Sequence, residues 1–198
     1  MVEQRIQQQF YESADLTVQL AESLARPISE AATAIVGAIT AGGKVLAFGS
    51  GSSFVDAQRF VAAFVGRFER ERPSLAAISL VGDSVLATTL LGRDALAQAA
   101  AKQLQALGAP DDVLLIVEAD ATSSSTLTLI AAAREKEMIV VALTGRPRDG
   151  IDSALGEADV LMAVAHDRAA RVREIHVLAL HCLCDAVDLQ LMGEQDLT

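Results

Sequence analysis

The chain has 198 residues, 16 basic and 26 acidic side chains, a formal charge of −10 and an isoelectric point near 4.7. Hydrophobic residues make up 52%, which supplies a full core and excludes global disorder. The acidic balance excludes direct nucleic-acid binding and anionic membranes, and 4% aromatics with no Trp exclude a base-stacking platform.

The first ten residues, MVEQRIQQQF, are polar and are not a signal peptide. Ile6, Phe10, Leu16, Leu20 and Leu24 repeat near the helical period, predicting a helix over Val2–Leu24. Arg26-Pro27 breaks it, and Pro27 suits the first turn of a second helix running to about Ala41, before Gly42-Gly43. Neither helix can bury its stripe alone, so both must pack on the rest of the chain or on another copy.

From Lys44 the pattern changes to short apolar runs, at Val45–Phe48, Ala76–Leu80, Val113–Val117, Ile139–Leu143 and Val160–Val164. Helical stretches separate them, at Ser53–Phe68, Ser84–Leu107 (broken near Gly92), Ser123–Glu137 and Asp167–Leu191. Continuous apolar strands between helices predict an α/β fold, a doubly wound five-stranded parallel sheet covered on both faces. No apolar run reaches the roughly 18 residues of a membrane span.

Ligands in such sheets bind beyond the carboxyl ends of the strands. The first such loop is Ser50, Gly51, Ser52 and Ser53, whose hydroxyls and helix start suit an anion; a serine-capped tight turn is the plainer alternative. The loop after the third strand carries Ser123 and Ser124, but also Glu118 and Asp120, which oppose an anion. On the last helix, His176 and His181 lie about 140° apart and cannot share a metal. Asp185 stands one turn beyond His181, placed to orient its ring. Cys182 and Cys184 point about 200° apart, which forbids a mutual disulfide, indicates a reducing, cytoplasmic compartment and reads as two buried small apolar residues.

The stretches AGGKVLAFGSGSS, GRFERERPSLAAISL, AKQLQALGAPDDVLL, IAAAREKEMIVVALTG and RVREIHVLALHCLCDAVD together resemble the SIS (sugar isomerase) domain family. The likeness is to its phosphoheptose isomerase group and, through ERPSLAAISL, AKQLQALG and HCLCDAVD, most of all to its DnaA initiator-associating branch. The resemblance implies a flavodoxin-like sheet and a homotetramer, with residues 1–42 as an oligomerising helical pair and 43–198 as the SIS domain. It matches the isomerase's first loop with GSGSS, its GRY arginine with Arg67 and its general-base histidine with His181. It also puts Arg59, Ala63 and Arg173 where the isomerases keep metal ligands and a catalytic carboxylate. With those groups unmatched, His181 reads as vestigial, no metal or cofactor is expected, and the chain reads as not an enzyme. The branch resemblance then implies a non-catalytic tetrameric scaffold in DNA replication initiation, holding DnaA through Leu191 and Met192. The alternatives are a sedoheptulose 7-phosphate isomerase and a sugar-phosphate-binding regulator.

Overall fold

Residues 2–40 form one helix in the computed structural model, which describes residues 1–91, 96–120, 124–146 and 150–194. This helix, α1 (Val2–Thr40), corrects the expected pair of helices divided at Pro27. The carbonyl that loses its partner to Pro27 belongs to Ser23, which is exposed and open to water. Leu24 on one side of the proline and Ala31, Ala32, Ile35 and Ala38 on the other are all buried in the same core. Continuity therefore keeps one apolar face aligned at the cost of one solvent-side hydrogen bond. Towards its start α1 leaves Val2, Ile6 and Phe10 exposed, so this part of the predicted stripe has no cover within the chain.

The strands are β1 (Val45–Gly49), β2 (Ala77–Ser79), β3 (Val113–Glu118), β4 (Ile139–Thr144) and β5 (Val160–Ala163). All neighbours pair in parallel, in the order β2-β1-β3-β4-β5. This is the flavodoxin-like order, and the chain reverses direction across the sheet between β1 and β3. The remaining helices are α2 (Ser53–Val65), α3 (Ser84–Leu91), α4 (Leu96–Leu107), α5 (Ser124–Glu135), the short α6 (Ile151–Ala154) and α7 (Ala169–Met192). No sequence signal had marked α6.

Alternation along each strand divides the core in two. Val45, Ala47, Val113, Leu115, Val117, Val141 and Leu143 join α1, α2 and α7 on one face. Leu46, Phe48, Leu114, Ile116, Val140 and Ala142 join α4, α5 and α6 on the other. Helices on both sides explain why the strands read as unbroken apolar runs. By length and apolar content α7 would suffice to cross a bilayer, yet its inner face packs in this core and buries Arg171, His176 and Asp188.

The arginine cluster of residues 67–72 resolves into separate ties. Arg72 is the inner one: its Nε lies 2.5 Å from Asp188 Oδ1, with both side chains 1% exposed. Its two Nη groups donate to the Ala63 and Phe64 carbonyls, each at 2.9 Å, near the end of α2. These are carbonyls that a helix end leaves unpartnered. One guanidinium thus caps α2 and joins it to α7. Removing one partner of a buried ion pair leaves a bare charge, so Asp188→Ala is expected to lower stability by about 3–5 kcal/mol. Urea unfolding at fixed protein concentration checks this, and a paired Arg72→Met/Asp188→Leu change should recover most of the loss.

Candidate active site

The first loop leaves β1 at Gly49, where a Cβ would stand 2.3 Å from the Ser53 carbonyl oxygen, so only glycine permits the turn. Gly51 follows with φ +55°, a left-handed conformation that glycine adopts without cost. Ser52 occupies the N-cap position without a side-chain bond. The Ser53 and Phe54 N–H groups donate back to the Ser50 and Gly51 carbonyls at 3.0 and 3.4 Å, so two donors at the start of α2 are already engaged. The Ser53 hydroxyl is buried and accepts the Ala119 N–H at 3.1 Å, fastening the first loop to the end of β3.

Glu118 decides the character of this cleft. Its carboxylate is 5% exposed and accepts from the Ser50 hydroxyl at 3.3 Å and from the Thr126 hydroxyl on α5. The hydroxyls that would cradle a phosphate instead hold a carboxylate built into the chain. A second anion within about 4 Å in so dry a site would be opposed by several kcal/mol. Asp120 is exposed. Ser123 lies outside the described residues, and Ser124 opens α5.

A second group gathers where α2 meets α7. Asp56, 1% exposed in the first turn of α2, takes a forked contact from Arg173, with Nε to Oδ2 at 2.7 Å and Nη2 to Oδ1 at 3.1 Å. Arg59, one turn further, is 3.9 Å from the same carboxylate with its side chain 70% exposed. The hydrogen bond and charge of Asp56 raise the Arg173 pKa further above its ordinary value. Beneath these guanidiniums a cavity of about 70 Å³ is lined by Asp56, Arg59, Ala63, Phe68, Val177 and His181. The Phe68 ring stands 5.4 Å from the His181 ring, centroid to centroid. Asp185 does not orient His181 as the spacing suggested; it faces Arg70 at 3.8 Å.

The structure brings His181 together with Arg59 and Ala63, and Ser50 and Ser53 together with Glu118. Arg67 stands apart, exposed and paired with Glu71. Leu191 is half-buried against the core and Met192 is exposed at the end of α7. Cys184 is buried, and burial pushes its thiol up to about 12. Cys182, expected inside, is exposed in the groove between α7 and α1, a correction to the sequence reading. The Asp56–Arg173 pair escaped the sequence reading because 117 residues separate its partners.

A divalent cation does not fit the residues that the resemblance assigns to it. Arg59 and Arg173 bring positive charge, Ala63 brings a methyl group, and His181 alone offers a lone pair. Among the described residues no three His, Cys, Asp or Glu side chains converge to hold a metal.

The SIS domain pattern matches residues 9–145. The chain is 54% identical to the phosphoheptose isomerase of Methylibium petroleiphilum over 198 residues, covering all of this chain and 99% of the relative. It is 44% identical to the phosphoheptose isomerase of Aromatoleum aromaticum, covering 97% of each. The solved phosphoheptose isomerase GmhA from Neisseria gonorrhoeae superposes with a TM-score of 0.86 at 34% identity, covering 95% of this chain and 99% of that one. These findings overturn the expectation of a non-catalytic scaffold, and with it the reading against an enzyme. Nothing in them supports a DnaA partner or a role in replication initiation. The scaffold expectation rests on changed site positions and on a few short stretches, whereas the likeness to isomerases runs the length of the chain.

His176 backs this region from inside. It is 1% exposed, and its Nε2–H donates to the Thr144 carbonyl at 3.1 Å. Burial lowers its pKa to about 4. The ring is therefore neutral when folded while the unfolded chain protonates near 6.5. Its contribution is complete above pH 6.5 and is lost as pH falls through 4, about 3 kcal/mol in all. Stability measured across that window should fall more steeply for the wild type than for His176→Gln, which keeps the donor and removes the titration.

Proposed function

This chain belongs to the SIS domain family, and we propose that it is an aldose–ketose isomerase acting on a phosphorylated sugar, as the phosphoheptose isomerases are named for doing. The observation that carries the reading is 54% identity to one of them over the whole chain. Self-association fits the apolar surface that α1 leaves uncovered at Val2, Ile6 and Phe10.

The isomerisation moves one proton between adjacent carbons. A base removes it from the carbon beside the carbonyl and an enediolate forms; the proton returns to the former carbonyl carbon while the hydroxyl proton passes to the former carbonyl oxygen, with no net oxidation. His181 is the group in the α2/α7 cavity suited to that transfer, since an imidazole nitrogen can take up a proton and hand it back. Phe68 shields one side of its ring.

A second reading, binding of a sugar phosphate without turnover, is favoured by Ala63, which puts a methyl group beside His181 where the isomerases keep a carboxylate. One assay separates the two. The purified full chain should convert sedoheptulose 7-phosphate, followed by NMR, and His181→Gln should lower kcat by about 10²–10⁴ with an unchanged circular dichroism spectrum. Ligand-dependent thermal stabilisation without conversion would establish the second reading instead.

A further inference from the structure

The charges over the cavity do not cancel. Asp56 is one carboxylate facing two guanidiniums, held closely by Arg173 and loosely by Arg59. Above it a wider opening of about 590 Å³ is lined by Arg59, Ala170, Arg173, Glu174 and Val177. Glu174 is the one acid on that rim, and it is engaged elsewhere: its carboxylate meets Arg171 at 2.8 Å and accepts from the Ser13 hydroxyl at 2.7 Å. With Arg171 counted, three guanidiniums face two carboxylates, an excess of one positive charge in a chain whose net charge is −10. Arg59 is the cation with room to act, because its side chain is 70% exposed and its ion pair with Asp56 is a loose 3.9 Å approach.

The opening and the inner cavity adjoin, with Arg59 and Val177 lining both and His181 lining the inner one. At the other candidate place for an anion, the serine loop, the hydroxyls of Ser50 and Thr126 already serve Glu118. A planar guanidinium fork matches a phosphate by paired N–H···O bonds. We propose that the opening between Arg59 and Arg173 receives the phosphate of the sugar phosphate, with the carbon chain running past Val177 to His181, and that Glu118 closes the serine loop to it. This rests on the reading of the chain as a sugar-phosphate protein, and it differs from it in naming which end of the site holds the phosphate.

The test is the binding of inorganic phosphate to the full chain by isothermal titration at low salt. The wild type should bind with millimolar affinity that weakens as salt rises. Arg59→Gln should raise Kd roughly tenfold, the usual scale for a charge-assisted hydrogen bond. Arg59→Lys should fall between the two, retaining charge without the fork. Arg26→Gln, which removes an exposed arginine from α1, should change Kd by less than about twofold. Arg59 is exposed, so its variants are expected to fold, and their melting curves verify it. The proposal is overturned if the wild type shows no phosphate binding, or if Arg59→Gln binds as the wild type does. It is also overturned if Glu118→Gln alone tightens binding tenfold, which would mark the serine loop as the anion site. Because binding is read without turnover, phosphate binding through Arg59 in a chain that converts no sugar would refute the isomerase reading and leave this site standing. Conversion with an unchanged KM in Arg59→Gln would do the reverse.

Discussion

The ion pair between Asp56 and Arg173 fixes the geometry of everything around it. Asp56 is buried in the first turn of α2, and Arg173 lies in the first two turns of α7. A bare carboxylate at that depth would be strongly disfavoured, so the guanidinium must stay in place. The forked contact sets the register of α2 against α7 at one end, and Arg72 with Asp188 sets it at the other. Between these ties, residues from both helices line the cavity that holds Ala63, Phe68 and His181. A shift of either helix by one turn would break both ion pairs together and leave two buried carboxylates bare.

The two clefts have opposite electrical characters. At the serine loop, Glu118 turns hydroxyl donors inward onto a carboxylate of the chain itself. Over the α2/α7 cavity, arginines outnumber acids. The negative charge of the whole chain gives no hint of this division, because electrostatics in partly buried sites is decided by neighbours within a few ångströms. The guanidiniums of Arg59 and Arg173 also stand where the family resemblance assigns metal ligands. Positive charge there comes from the chain, permanently and without pH dependence near neutrality.

Much of the fold was legible in the sequence. The five strands announced themselves as apolar runs because both faces of the sheet are covered, and Gly49 to Ser53 marked the turn from β1 into α2. The division of α1 at Pro27 was misread, since a proline whose lost partner faces water costs a helix little when packing continues on both sides. The site was less legible. Glu118 and Asp120 look alike in sequence, yet one is buried against two hydroxyls and the other is exposed. Arg59 and Arg173 read as lost ligands until Asp56 showed them sharing a carboxylate, a contact made across 117 residues that no local spacing encodes. The expectation of a scaffold followed from weighing the changed positions and a few short stretches above the likeness of the whole chain.

The most direct measurement is the conversion of sedoheptulose 7-phosphate by the full chain before and after exhaustive treatment with a chelator. If Arg59 and Arg173 carry the positive charge of the site, the rate should survive chelation, and added divalent cations should not raise it. Loss of the rate on chelation with recovery on adding a divalent cation would contradict that assignment, and absence of conversion under either condition would contradict the isomerase reading itself.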